Sequence, residues 1–175
     1  SSGLFCSPAG HCHPKIIEAV HVAMQDTTFV SPFSTGHPLS FALAEKIARL
    51  HPDNTNHVFF VNSGSEAVDT AMKIVMAYWT ARGEARHRFV SRERSYHGVN
   101  IGGVSLSGLV NNRRAFPITM PNIVHMRHTF TDEDLFVPGC RESGLDRAED
   151  LQRAIDNFGG ETIAAVFVEP VAGST

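Results

Sequence analysis

The stretch VFFVNSGSEAVDTAMKIVMAYW, residues 58–79, carries an apolar run into an Asn-Ser-Gly-Ser turn and directly on into a helical pattern. Val68, Ala71, Met72, Val75, Met76 and Trp79 recur at i, i+3 and i+4, which predicts an α-helix with one buried stripe, ending near Arg82-Gly83. The run HVFFV before the turn is short, apolar and rich in β-branched and aromatic residues, and it reads as a buried strand. A strand that turns straight into a helix is half of an α/β unit, and the rest of the chain continues the alternation.

Upstream, PKIIEAVHVAMQDT (14–27) predicts a helix opened by Pro14, with Ile16, Ile17, Val20, Val22 and Met24 mostly on one side. After the SPFSTGHP loop, Pro38 opens a second helix through Leu39, Leu43, Ile47 and Leu50, stopped by HPDNTN. Downstream, HRFVS and PNIVHM read as strands, and SYHGVNIGGVSLSG reads as a Gly- and Ser-rich loop. Residues 132–144 read as irregular and acidic, Asp146–Phe158 as a helix, and Thr162–Val168 as the most apolar strand. This order predicts a mostly parallel sheet flanked by helices on both faces. Residues 1–50 are expected to lead into the larger domain that occupies 51–175. The chain opens SSGLFC without an initiating Met and ends at EPVAGST, so an internal, truncated piece of a longer protein is expected.

Composition narrows the function classes. A chain of 175 residues, 42% hydrophobic and 19% charged, is of globular type, and its net charge of −3 offers no general attraction to nucleic acid or anionic membranes. Arg82, Arg86, Arg88, Arg92 and Arg94 form a local basic run, read as a solvated helix end and turn. The longest apolar run, Ile163–Val168, falls far short of the roughly 20 residues of a membrane helix. Three scattered cysteines, Cys6, Cys12 and Cys140, give no disulfide framework and agree with a cytoplasmic compartment. Cys6, His11, Cys12 and His13 raise the question of zinc, but their spacing lacks a second ligand pair, and no metal is expected.

The turn itself has two uses. A helix starting at Ser63-Gly64-Ser65 presents free N–H groups and the positive end of the macrodipole, a natural seat for phosphate. Gly64 allows close approach, and the Ser63 and Ser65 hydroxyls donate without adding charge. The same letters, with Glu66, also fit an S-x-x-E capping box that any helix could use for stability. Neither a P-loop nor a GxGxxG spacing is present. Two further strand ends add chemistry where α/β sheets collect ligands. One carries Tyr96, His97 and Gly98, an aromatic face, an imidazole and a flexible glycine. The other carries Glu169, a carboxylate that is costly to bury without a partner. Together they point to one site for a flat, phosphorylated, charge-bearing cofactor.

These residues resemble a known family. FFVNSGSEAVDTAMKIVMAYW, RSYHGVNIGGVSLSG and AAVFVEPVAGS look like the class III, or ω-amino acid, aminotransferases, which use pyridoxal 5'-phosphate (PLP) and have the type I PLP fold. The match runs on through GLFCSPAGHCHPKI and STGHPLSFALAEKI, and within the class it looks most like the β-alanine:pyruvate aminotransferases. The resemblance implies that Gly64 and Ser65 bind the cofactor phosphate, with Ser63 and Gly98 beside them. It implies that Tyr96 stacks on the pyridine ring, that His97 lies next to it, and that Glu169 helps to arrange the site. It places Phe5, where the family often has Trp, and Phe33 along the substrate pocket.

The implied reaction moves an amino group from an ω-amino acid or amine to a keto acid such as pyruvate, in a homodimer or dimer-based oligomer. In this family the Schiff-base lysine and the aspartate that pairs with the pyridinium lie beyond the Glu-Pro segment. Lys15, Lys46 and Lys73 fall in predicted helices, so the segment alone is expected to be inactive. Alternative readings are another PLP enzyme of this fold, such as an aminomutase or decarboxylase, or a non-catalytic domain that binds a phosphate ligand.

Overall fold

The computed structural model describes residues 3–173 apart from 118, 130, 140 and 141, so Cys140 lies outside the described residues. It divides into two compact units, Ser1–Phe59 and Phe60–Thr175. The first holds α1 (Pro14–Asp26) and α2 (Pro38–Ala48), each with proline in its first turn as the sequence predicts. His37 caps α2, its Nδ1 accepting the Leu39 N–H at 3.1 Å. Neither helix has a buried residue, and Ile16, Ile17, Val20, Val22 and Met24 stay at least half exposed. The apolar side of α1 therefore exists, but it is not covered by the described residues.

The second unit contains α3 (Gly64–Ala81), β1 (Arg88–Arg92), α4 (Ile101–Leu106), α5 (Val110–Arg113), β2 (Ile123–Met126), α6 (Glu142–Ala148), α7 (Asp150–Phe158) and β3 (Ile163–Val166). Its sheet has the order β2-β1-β3 and is parallel throughout, with Phe89 opposite Ile123 and Ala165, and Val90 opposite Val124 and Val166. Met72, Phe89, Leu106 and Ala164 form the core, with Val68, Val75 and Trp79 of α3 packed against it. The stripe read from the spacing of α3 is thus the face that meets the sheet.

Five expectations change. HVFFV is not a strand: Phe59 is 71% exposed, and no described strand pairs with it, because apolar content alone supplies no ladder partner. The Gly- and Ser-rich loop contains a helix, α4. Its glycines serve packing, since a Cβ on Gly102 would fall 2.9 Å from Met72 Sδ, and one on Gly103 would meet the backbone of Gly98. The helix read over Asp146–Phe158 is two helices that meet at Glu149. Strand β3 stops at Val166, short of the expected Val168, and has one described neighbour: only its Ala164 is buried, while Val166 and, beyond the strand, Val168 are 38% and 54% exposed.

The basic run is more than a solvated face. The Arg86 guanidinium stacks 3.9 Å from the Trp79 ring centre and donates to the carbonyls of Gly160 and Ile163, while Arg88 covers Phe158 at 4.1 Å. These contacts, with the Trp79 indole N–H donating to the Ala164 carbonyl at 2.8 Å, tie α3 and α7 to the sheet. Beyond β2, Arg127 clasps Asp150: the backbone N–H donates at 2.8 Å and the guanidinium at 2.6–3.0 Å. The Arg127 bonds hold the Asp150 carboxyl at about 2, below its usual range.

A carboxyl depressed in the fold stabilises it fully above the unfolded value of about 4, and that contribution is lost as pH falls toward 2. Asp150→Asn is expected to lower the melting temperature at neutral pH by about 5 °C. The gap from the wild type should close between pH 4 and 2, as followed by circular dichroism.

Candidate functional site

The carboxyl ends of β1 and β3 and the start of α3 converge. Ser63 is the N-cap of α3, its Oγ accepting the Glu66 N–H at 3.1 Å, and Glu66 reaches back to the Asn62 N–H at 2.9 Å. Capping therefore occupies Ser63 and Glu66. The amides of Gly64 and Ser65 stand at the first two helical positions, where no intrahelical acceptor exists. A Cβ on Gly64 would meet nothing within 4 Å. The turn thus carries the cap on one side and leaves an open, donor-rich approach on the other.

The loop after β1 closes over this turn. Gly98 has φ +115°, and a Cβ there would sit 2.8 Å from the Ser65 Cα, so no side chain fits. The next amide, Val99 N–H, donates to Ser65 Oγ at 3.0 Å. That bond uses one lone pair of Ser65 and leaves its proton available to an anion. Gly64, Ser65, Val68, Tyr96, His97 and Gly98 line the resulting cavity of about 270 Å³.

Glu169 supplies the third side. Its Oε1 accepts the Tyr96 N–H at 2.9 Å, which gives the half-buried carboxylate the partner its position demands and ties the ends of β1 and β3 together. Tyr96 itself remains 37% exposed. His97 is buried, its Nε2 lies 2.9 Å from Ser91 Oγ, and its ring meets Phe167 edge-on at 6.3 Å. Burial holds the imidazole below its ordinary range; the Glu169 charge acts in the opposite direction and His125 reinforces the depression. The ring is therefore neutral near pH 7.

Of the residues singled out by sequence, Gly64, Ser65, Tyr96, His97 and Gly98 line one cavity, with Ser63 capping its helix and Glu169 bonded to its loop. Phe5 and Phe33 belong to the first unit, where both rings are exposed. A larger concavity of about 960 Å³ lies in that unit between α1 and α2, and its lining is mostly apolar. Among the described residues no cluster of three metal-ligating side chains occurs, and no helix is long and apolar enough to cross a membrane.

Sequence reading missed Asp69. Its Oδ1 accepts the Gly103 N–H at 3.0 Å, giving α4 the first-turn acceptor that its own N-cap, Asn100, does not supply. The one sequence signal was its place on α3 one turn beyond Ser65. Ser91 and Ser107 were also missed; buried serines on an apolar strand and at a helix end have no periodicity to betray them.

The chain is similar to known proteins over its whole length. Residues 1–175 match the aminotransferase class-III family. The chain is 45% identical to an omega-amino acid--pyruvate aminotransferase of Pseudomonas putida and 42% identical to a beta-alanine--pyruvate aminotransferase of Pseudomonas aeruginosa, over 99% of its own length and 39% of theirs. An amine transaminase from an uncultivated Pseudomonas species, solved in its PLP-bound form, superposes with a TM-score of 0.83 at 28% identity, covering 94% of this chain and 39% of that one. The chain therefore spans about two fifths of the length of these relatives.

Gly98→Ala is expected to destabilise the fold by about 2 kcal/mol, because both the backbone angle and the Ser65 contact oppose a methyl group. Gly64→Ala should change stability by less than about 1 kcal/mol. Denaturant unfolding of the two variants measures the contrast.

Proposed function

The chain belongs to the class-III aminotransferase family, with the type I PLP fold, and from that premise we propose that its cavity is the phosphate end of a PLP site. The observation that carries the proposal is the open approach to Gly64, walled by Ser65, Gly98 and Tyr96. A cradle that a Cβ would begin to fill, with unspent amides and a free hydroxyl proton, fits a phosphate better than an apolar group.

PLP, when bound, supplies the electron sink that lets an amine give up its amino group and a keto acid take it. The work of this chain is binding and orientation. Gly64 and Ser65 hold the phosphate through backbone N–H groups and the Ser65 hydroxyl. Ser63 fixes the helix end that presents them. Tyr96 offers its ring to the pyridine face, and Glu169 sets the position of Tyr96 by accepting its amide. His97, neutral beside them, lines the cavity without adding a charge. Phe5 and Phe33 line the substrate pocket in this proposal. Lys73, the one lysine of the second unit, lies within α3 and does not line the cavity, so the reactive lysine is assigned to the remainder of the full-length enzyme.

The full-length protein is proposed to transfer the amino group of an ω-amino acid or amine, such as β-alanine, to pyruvate, as a cytoplasmic homodimer or dimer-based oligomer. Support comes from the similarity to the two pyruvate aminotransferases. Incubation with β-alanine and pyruvate should yield alanine. Carbon dioxide release, or migration of the amino group within one substrate without alanine formation, would instead identify a decarboxylase or aminomutase.

In the full-length protein Gly64→Ala should weaken PLP binding at least about tenfold, the worth of one charge-assisted hydrogen bond, while unfolding stability holds. Tyr96→Ala should weaken it as well. Equilibrium titration by cofactor fluorescence measures both, and unchanged affinity in the two variants counts against the assignment.

A further inference from the structure

Below the cavity, two serine hydroxyls and an imidazole form a line of contacts whose protons can be counted. Ser95 Oγ lies 2.6 Å from the Arg92 carbonyl oxygen and 3.2 Å from Ser91 Oγ, and Ser91 Oγ lies 2.9 Å from His97 Nε2. Ser91, Ser95 and His97 are all buried, so water does not replace a missing partner freely. A carbonyl oxygen only accepts, and each serine carries one hydroxyl proton. The Ser95 proton is therefore committed to Arg92, which makes Ser95 Oγ an acceptor toward Ser91. If Ser91 donated to the imidazole, its contact with Ser95 would hold two oxygens and no proton. One arrangement gives every contact its own proton: His97 Nε2–H to Ser91, Ser91 O–H to Ser95, and Ser95 O–H to the Arg92 carbonyl.

We propose that this relay fixes His97 as the Nε2–H tautomer, leaving Nδ1 as the acceptor of a ring that lines the cavity, and that Ser91 is the positioning residue that sets it. The backbone of the same residue is held separately. Its N–H donates to Ser107 Oγ at 2.9 Å, and that hydroxyl donates to the Gly103 carbonyl at 2.8 Å. Ring and main chain of His97 are thus clamped by different hydroxyls, from β1 and from the end of α4. Tyr96 and Gly98, its neighbours in sequence, inherit that placement. The charged or titratable groups acting on the ring are Glu169 and His125. His125 Nε2 contacts the Leu106 carbonyl at 2.9 Å, and the Arg92 guanidinium is occupied by the Arg127 carbonyl at 2.8 Å. Neither enters the serine line. A neutral imidazole with the proton on Nε2 keeps Nδ1 as its one acceptor nitrogen.

The assignment concerns the protein without cofactor, so it stands or falls apart from the PLP proposal. Nitrogen-15 spectra of full-length protein labelled only at histidine, without added PLP and at neutral pH, report the proton on each ring nitrogen. The His97 signals are identified by their loss in His97→Gln. The expected result is a protonated Nε2 and an unprotonated Nδ1 in the wild type. Ser91→Ala should shift the tautomer ratio about fivefold toward Nδ1–H, the worth of one hydrogen bond, and Ser91→Thr should restore it. A wild-type spectrum with the proton on Nδ1 overturns the relay without any variant, and an unshifted Ser91→Ala ratio removes Ser91 from its role. Loss of packing alone would lower the melting temperature without moving the tautomer ratio.

Discussion

Ser65 and Gly98 approach so closely that a methyl group on residue 98 would fall 2.8 Å from the Ser65 Cα, and the local architecture follows from that contact. It requires a residue without Cβ at φ +115°. It brings the Val99 amide within 3.0 Å of Ser65 Oγ, and with it the chain that becomes α4. Asp69 secures α4 at its first turn, and Gly102 lets it lie against Met72. The beginning of α3 and the end of β1 are thereby locked into one surface, and the cavity is the space left beside Gly64.

Two demands meet at the turn and are satisfied by different atoms. Helix stability uses the Ser63 hydroxyl and the Glu66 carboxylate, whereas the proposed anion recognition is left the Gly64 and Ser65 amides and the Ser65 proton. A helix end that spent all its donors on its own cap would have nothing to offer a phosphate. The sheet contributes rigidity: Glu169 bonds across from β3 to the β1 loop, and a buried polar line fixes the ring between them. Such networks are favourable only when fully satisfied, which is why the proton count around Ser91 has structural consequences.

Much of this was legible where the signal is local. The stripe of α3, the turn at Ser63–Ser65 and the strands around Phe89 and Val124 follow from side-chain period and turn chemistry within a few residues. The resemblance placed Tyr96, His97 and Gly98 beside that turn, and the cavity contains all three. What failed to read depends on partners distant in sequence. HVFFV has the composition of a strand but no described neighbour to pair with. The glycines at 102 and 103 suggest a loop until α3 is seen pressed against them. Asp150 and Arg127 are ordinary surface letters, 23 residues apart, until folding turns them into a clasp.

The central claim is that the amides of Gly64 and Ser65 receive the cofactor phosphate. A crystal structure of the full-length protein grown with PLP tests it most directly. The account predicts phosphate density within hydrogen-bonding distance of both amides and of Ser65 Oγ, with the pyridine ring against Tyr96. Phosphate density seated elsewhere, with the approach to Gly64 still open, would contradict it.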